Sequence, residues 1–221
     1  MALTPKSNRL AGLVLAVALM LTTVPIFAQD VTDDSDEFRG LVTVEGLPPE
    51  APHEGAVITV DLSKNRVYLF RDGQLVRQSP VATGSDKVLR GKGHVWWFRT
   101  PRGLHQVLRR IENPIWTKPD WAYVEEGKAI PAANSPDRKV KGKMGKYALD
   151  LGGGVMLHGT DDPKTIGQRV SHGCIRIPAD MLKQLWDVAQ VGTPVYIFES
   201  APDPQVLARK GLNDLDMLAV D

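Results

Sequence analysis

Three short apolar runs follow one another early in the chain: VITVDL from Val57, RVYLF from Arg66 and QLVRQSPVAT from Gln74, with only SKN and RDG between them. Val, Ile, Tyr and Thr favour the pleated backbone, and Asn and Asp-Gly favour reversal, so the pattern predicts a β-meander. TPRG at Thr100 to Gly103 marks another turn, and YALDL, GVMLHG and TPVYIF supply later strands. Helical spacing is clear only from Pro178 to Gln190, where Met181, Leu182, Leu185, Trp186 and Ala189 share one face and proline suits the first turn. The expected fold is mainly β, an α+β domain with one helix covering part of the sheet.

Between Gly103 and Tyr147 no period is sustained through PIWTKPDWAYVEEG and PAANSPDRKVKGKMG. Irregular stretches of this length serve as lids or binding loops, or are disordered. Trp116, Trp121 and Tyr123 favour an ordered lid over about 104–146, because exposed aromatics are costly without a surface to cover. Plain packing of the stretch onto the sheet explains them equally well.

The flanks differ in kind from this domain. The first residues carry Lys6 and Arg9, an apolar run from Leu10 to Val24, and Ala28 before Gln29, the three-part plan of a secretory signal peptide over 1–28. The run is shorter than the roughly 20 residues a spanning helix needs; a membrane tether follows only if the signal stays uncut. Residues 29–55 hold eight Asp and Glu against Arg39 alone, which reads as a flexible, solvated acidic spacer, although LVTV could add a strand. The tail 199–221 is acidic as well. A chain of 221 residues has room for one good core, here 56–198, and is expected to be a monomer.

Charge sharpens the contrast, for residues 56–198 hold 22 Lys and Arg against 13 Asp and Glu, net +9, while the whole chain sums to +1. A basic domain between acidic flanks is compatible with attraction to an anionic cell-wall polymer, or with an ordinary solvated surface. Export to the periplasm or cell envelope argues against nucleic acid as a partner.

Export also changes the meaning of Cys174, the only cysteine. Exported proteins keep cysteines as disulfides, and one alone cannot pair within its chain. It stands in SHGCIRI, beside Gly173 and two residues after His172, with His158 sixteen residues upstream in MLHG. A buried small hydrophobe is one reading. Zinc held by His158, His172 and Cys174 is another, disfavoured because no Cys-x-x-Cys pair or helical His pattern accompanies them; no metal and no cofactor is expected. The best account is a nucleophilic thiolate with an imidazole base. Spacing leaves either histidine as the base. His94 and His105, beside GKG and TPRG, read as surface or loop histidines, with His105 a possible lid residue.

HGTDDPKTIGQRVSHGCIRI resembles the signature of the L,D-transpeptidase catalytic domain, the YkuD-like family, in which His-Gly is followed further on by Ser/Thr-His-Gly-Cys. VDLSKNRVYLFRDGQLVRQSPVATG resembles its opening hairpins, TPRG its Thr-Pro-x-Gly turn, and GKYALDLGG the stretch before its histidine. The resemblance covers most of Val57 to Ile197 and implies a β-sandwich or barrel. It implies that Cys174 attacks a peptidoglycan stem peptide, releasing D-alanine and passing the acyl group to an amine. His158 is then the base, held by a backbone carbonyl, that of Gly159. His172 and Ser171 shape the loop, the amides of Gly173 and Cys174 serve as oxyanion donors, and Arg176 braces the site or binds a carboxylate. Trp116, Trp121 and Tyr123 become candidate substrate-binding residues. Asp161 and Asp162 read as solvated loop charges. The long lid stretch and Leu104-His105 after TPRG depart from the family pattern, which bears on the acceptor.

Three functions compete. A transpeptidase passes the acyl group to an amine, an L,D-carboxypeptidase or endopeptidase passes it to water, and a non-catalytic wall-binding module would tolerate loss of Cys174 or His158. A papain-like hydrolase is disfavoured because there the cysteine precedes the histidine.

Overall fold

The computed structural model describes Gly46, Leu47, Ala51 and residues 54–200. The expected signal peptide, most of the acidic spacer with its LVTV run, and the tail from Ala201 lie outside the described residues.

The meander forms as β1 (Ala56–Asp61), β2 (Arg66–Arg71) and β3 (Gln74–Pro80), followed by the short β4 (Thr83–Gly84). A hairpin, β5 (Val88–Gly91) and β6 (His94–Trp97), leads to β7 (Gly103–Gln106) and β8 (Arg109–Glu112). The short β9 (Trp116–Thr117), helix α1 (Asp120–Glu125) and β10 (Lys139–Val140) come next. After them run β11 (Tyr147–Gly152), β12 (Val155–His158), β13 (Arg169–Ser171), β14 (Ile175–Arg176), helix α2 (Ala179–Val188) and β15 (Pro194–Phe198).

The largest sheet has the order β3-β2-β1-β15-β7, and a second has the order β14-β12-β11-β8. β1 and β15 run parallel, Ile58 opposite Val195, and β15, the last of the described strands, lies in the interior of the sheet. Between the sheets lies the main core, where Ile58, Val60, Leu149, Leu157, Ile175 and Ile197 are fully buried. Helix α2 adds Met181, Leu182 and Leu185 to it, and Trp186 stacks on Tyr147 with ring centroids 4.6 Å apart. With Ala189 also buried in this core, the five residues that share one face by helical spacing from Pro178 all pack against it.

Two expectations are corrected. The first concerns the spacer, because the largest sheet is covered on both faces. Val57, Tyr68, Phe70 and Tyr196 point away from the main core and bury Leu47 and Ala51 in a second cluster. Thr59 donates its hydroxyl to the Gly46 carbonyl, and a Cβ at Gly46, whose φ is 86°, would strike the Tyr68 ring. The end of the acidic segment is therefore part of the fold. Double coverage is also why RVYLF is apolar throughout rather than alternating.

The second concerns the irregular stretch. β7 pairs with β15, and β8 pairs with β11, which ties residues 103–112 into the two sheets. Only 113–146 stands apart as an insertion, and it is ordered around one cation. Buried Arg138 donates to the carbonyls of Ala132, Lys118 and Pro131 and pairs with Asp120 at 2.7 Å.

Candidate active site

From Ser171 to Pro178 burial alternates without a break: Ser171, Gly173, Ile175 and Ile177 are buried, while His172, Cys174, Arg176 and Pro178 are not fully so. An extended chain sends successive side chains to opposite faces. β14 runs parallel to β12 with Leu157 opposite Ile175 and His158 opposite Arg176. Leu157, Ile175 and Ile177 therefore enter the core, and His158, Cys174 and Arg176 share the outer face of neighbouring strands.

His158 is 8% exposed, and its Nδ1 lies 2.5 Å from the Gly159 carbonyl. A carbonyl can only accept, so Nδ1 carries the proton and Nε2 is left as the acceptor. Burial lowers the pKa of the imidazole to about 4, with the Gly159 bond opposing and the Arg176 charge reinforcing the shift. Gly159 is fixed by close approach, since a Cβ there would meet Gly145 Cα and the Met144 carbonyl at 3.0 Å.

The Cys174 thiol donates to the Gly154 carbonyl at 3.3 Å, in a turn where Gly152, Gly153 and Gly154 all have positive φ. Burial raises its pKa, while the Met156 amide and Arg176 pull the other way. At neutral pH the resting pair is thus an uncharged thiol and an uncharged imidazole.

The loop around the thiol is held by two hydroxyls. Ser171 Oγ donates to the Cys174 carbonyl at 2.5 Å and accepts the Gly173 amide at 3.1 Å. Thr100, the first residue of TPRG, donates to the Gly173 carbonyl at 2.9 Å and accepts the Gly84 amide at 2.9 Å. Gly173 has φ 119°, and a Cβ there would lie 3.0 Å from the Arg99 carbonyl. The Gly173 amide, expected as an oxyanion donor, is therefore engaged inside the loop.

His172 faces the insertion. Its ring stacks on Trp121, meets Phe98 edge-on at 4.3 Å, and its Nε2 lies 3.0 Å from a Glu125 carboxylate oxygen. Trp116 lies behind Trp121, 6.2 Å away. Tyr123 is 6% exposed, with Lys118 and Arg138 over its ring. It packs the insertion and does not line a binding surface, contrary to the sequence expectation. Arg176 donates to Thr165 Oγ1 at 3.4 Å and exchanges backbone bonds with Ala82. Asp161 pairs with Lys143 at 2.9 Å, and its charge acts on the His158 imidazole against the effect of burial, while Nδ1 itself is bonded to Gly159. His94 opens β6 and His105 lies within β7, so both stand on strands apart from this loop. Among the described residues no three His, Cys, Asp or Glu side chains converge as a metal site.

Sequence reasoning missed Thr100, Gly84, Phe98, Glu125 and the Gly154 carbonyl. TPRG and the glycine run were visible as turns, but nothing local says what a turn touches.

The site thus sets a thiol, just before β14, and a carbonyl-locked imidazole, at the end of β12, on one face of the second sheet. Residues 55–197 match the model of the YkuD family, the L,D-transpeptidase catalytic domain, and the chain belongs to that family. It is 34% identical over 158 residues to the probable L,D-transpeptidase ErfK/SrfK of Salmonella typhimurium, covering 68% of this chain and 46% of that protein. It is 32% identical to the probable L,D-transpeptidase YcfS of Escherichia coli, covering 72% of this chain and 48% of that one. The chain thus spans about half the length of these curated relatives. A crystal structure of the L,D-transpeptidase from Xylanimonas cellulosilytica shares the fold, with TM-score 0.50 and 22% identity over 69% of this chain and 64% of that one.

Proposed function

We propose that the protein is a peptidoglycan L,D-transpeptidase that works through a Cys174 acyl-enzyme. The observation that carries this reading is the shared face of β12 and β14, which presents His158, with Nδ1 committed to Gly159, beside Cys174. Cys174 Sγ attacks the carbonyl of the L-centre that carries the terminal D-alanine of a stem tetrapeptide. The thiol proton passes to His158 Nε2 as the C–S bond forms, because neither group is charged at rest. Collapse of the tetrahedral intermediate breaks the peptide C–N bond, His158 returns the proton to the leaving nitrogen, and D-alanine departs. An acceptor amine then attacks the thioester, giving an amide and the free thiol.

Charge that appears only during reaction needs donors placed beforehand. With the Gly173 amide engaged, the Cys174 amide is the oxyanion donor in this reading, and Arg176 supplies the nearby positive field. Trp116 and Trp121 shield the loop from water through His172, which favours an amine over water as acceptor. In this reading segment 1–28 directs export and the enzyme acts in the periplasm or cell envelope. Among the described residues no helix is long and apolar enough to cross a membrane.

Mass analysis of muropeptides after incubation with tetrapeptide fragments tests the assignment. Cross-linked dimer is the expected product. Tripeptide alone would make the enzyme an L,D-carboxypeptidase, and unchanged substrate would leave a wall-binding module.

A further inference from the structure

The hairpin β5–β6 carries an exposed face that the reaction above does not use. Val88 pairs with Trp97 and Arg90 with Val95, so these four side chains stand on one side of the ribbon. Val88, Val95 and Trp97 are 50%, 59% and 57% exposed. The opposite side, Leu89 and Trp96, is half-buried, and a Cβ at Gly91 would strike Val124 of α1 at 2.5 Å. The hairpin is therefore seated on the insertion by one face and bare on the other. Three exposed apolar side chains in register are more than scattered surface residues.

The charge on this ribbon is of one sign. Lys87, Arg90, Lys92 and Arg99 fall within it or at its ends, and no Asp or Glu occurs between Lys87 and Arg102. Arg99 stacks its guanidinium over the Trp97 ring at 4.3 Å, which leaves the in-plane N–H groups of the fork directed outward. A flat ring beside fixed carboxylate donors suits a polymer with both ring-shaped and carboxylate parts.

The face also adjoins the thiol loop. Phe98, next to Trp97, meets His172 at 4.3 Å. The Arg99 carbonyl borders Gly173, and the Ser85 amide donates to the Ser171 carbonyl at 2.9 Å.

We propose that the exposed face of β5–β6 is a docking surface for the peptidoglycan strand itself, with sugar rings against Trp97, Val88 and Val95 and stem-peptide carboxylates against Arg90 and Arg99. This deepens the proposed function and rests on it. Its role is to hold the polymer while one stem peptide reaches Cys174, so it adds affinity for the insoluble wall without altering thiol chemistry.

The test is co-sedimentation of the full chain, as Cys174→Ser to prevent turnover, with purified sacculi. Adding Trp97→Ala or Arg90→Glu should each lower retention by about fivefold or more, the effect of truncating an interface anchor. The same changes in the protein with Cys174 intact should leave the rate of acylation by a penem unchanged. Sacculus retention equal to the parent in both folded variants overturns the docking surface, as does a parent that is not retained. Loss of binding to phosphatidylglycerol vesicles with sacculus binding intact also overturns it, in favour of a membrane surface. Failure of the penem to acylate Cys174 would instead count against the acyl-enzyme and leave the sacculus result standing.

Discussion

The imidazole of His172 lies flat on the indole of Trp121, with ring centroids 3.8 Å apart and planes 14° from parallel. The contact joins the loop that carries the thiol to a helix of the insertion, and the Glu125 carboxylate closes the same join from the other end of α1. Trp121→Ala and His172→Ala should therefore not act independently. A double-mutant cycle on unfolding should give a coupling of about 0.5–1.5 kcal/mol, the range for an aromatic pair. Additive effects would show that the stack is incidental.

The two histidines should separate cleanly in kinetics. His158→Ala, folded by circular dichroism, should lose about 10²–10⁴-fold in Cys174 acylation, as for a missing general base. His172→Ala should lose much less. The reverse order would exchange their roles.

Burial raises the Cys174 thiol above its ordinary range and lowers His158 to about 4, so no ion pair stores a thiolate at neutral pH. Alkylation by iodoacetamide should keep rising past pH ~8.5, where an ordinary thiol is half ionised, with no step near pH 6.5 from His158. A plateau already reached below pH 7 would reveal an imidazolium–thiolate pair at rest.

Stability should depend on the short segment before β1. Starting the chain at Ala56 removes Leu47, Ala51 and the carbonyl that Thr59 bonds, at a cost of about 2–4 kcal/mol from lost apolar burial and an orphaned hydroxyl. The thermal midpoint should fall by about 5–15 °C, whereas a chain starting at Gly46 should keep it. Equal midpoints would show that the second cluster contributes nothing.

The Thr100 hydroxyl bonds both Gly84 and Gly173. Thr100→Val keeps the shape and leaves a buried amide and a buried carbonyl unpaired, which costs about 1–3 kcal/mol per group. Acylation should fall as well because the Gly173 bend loosens, and Thr100→Ser should restore both. Loss of stability with unchanged acylation would confine Thr100 to a structural role.

Much of this was legible in the chain. The meander, the later strands and α2 carry their own periodicity, and SHGC and HG mark the two segments that meet where β12 runs beside β14. Leu47 and Ala51 were not legible, because a short apolar pair inside an acidic stretch has no period of its own; only the doubly apolar run RVYLF hinted that something must cover it. β7 and β8 are four residues each, too short to show alternation, and they owe their conformation to the partners β15 and β11. Tyr123 misled for a related reason: a sequence shows an aromatic ring but not the guanidinium lying over it.

The placement of β15 between β1 and β7 has a consequence for biogenesis. Strand β15 fills the middle of a sheet whose partner strand β1 lies far upstream in the chain, so the sandwich cannot close until β15 has been made and has found its place. Pairings so distant in sequence form late and slowly. The loop that presents Cys174 leans on that closed sandwich through β14 and α2. A chain in which β15 is not yet paired would thus carry the Cys174 loop on an open sandwich, and that loop would take its final shape only with the late β1–β15 pairing.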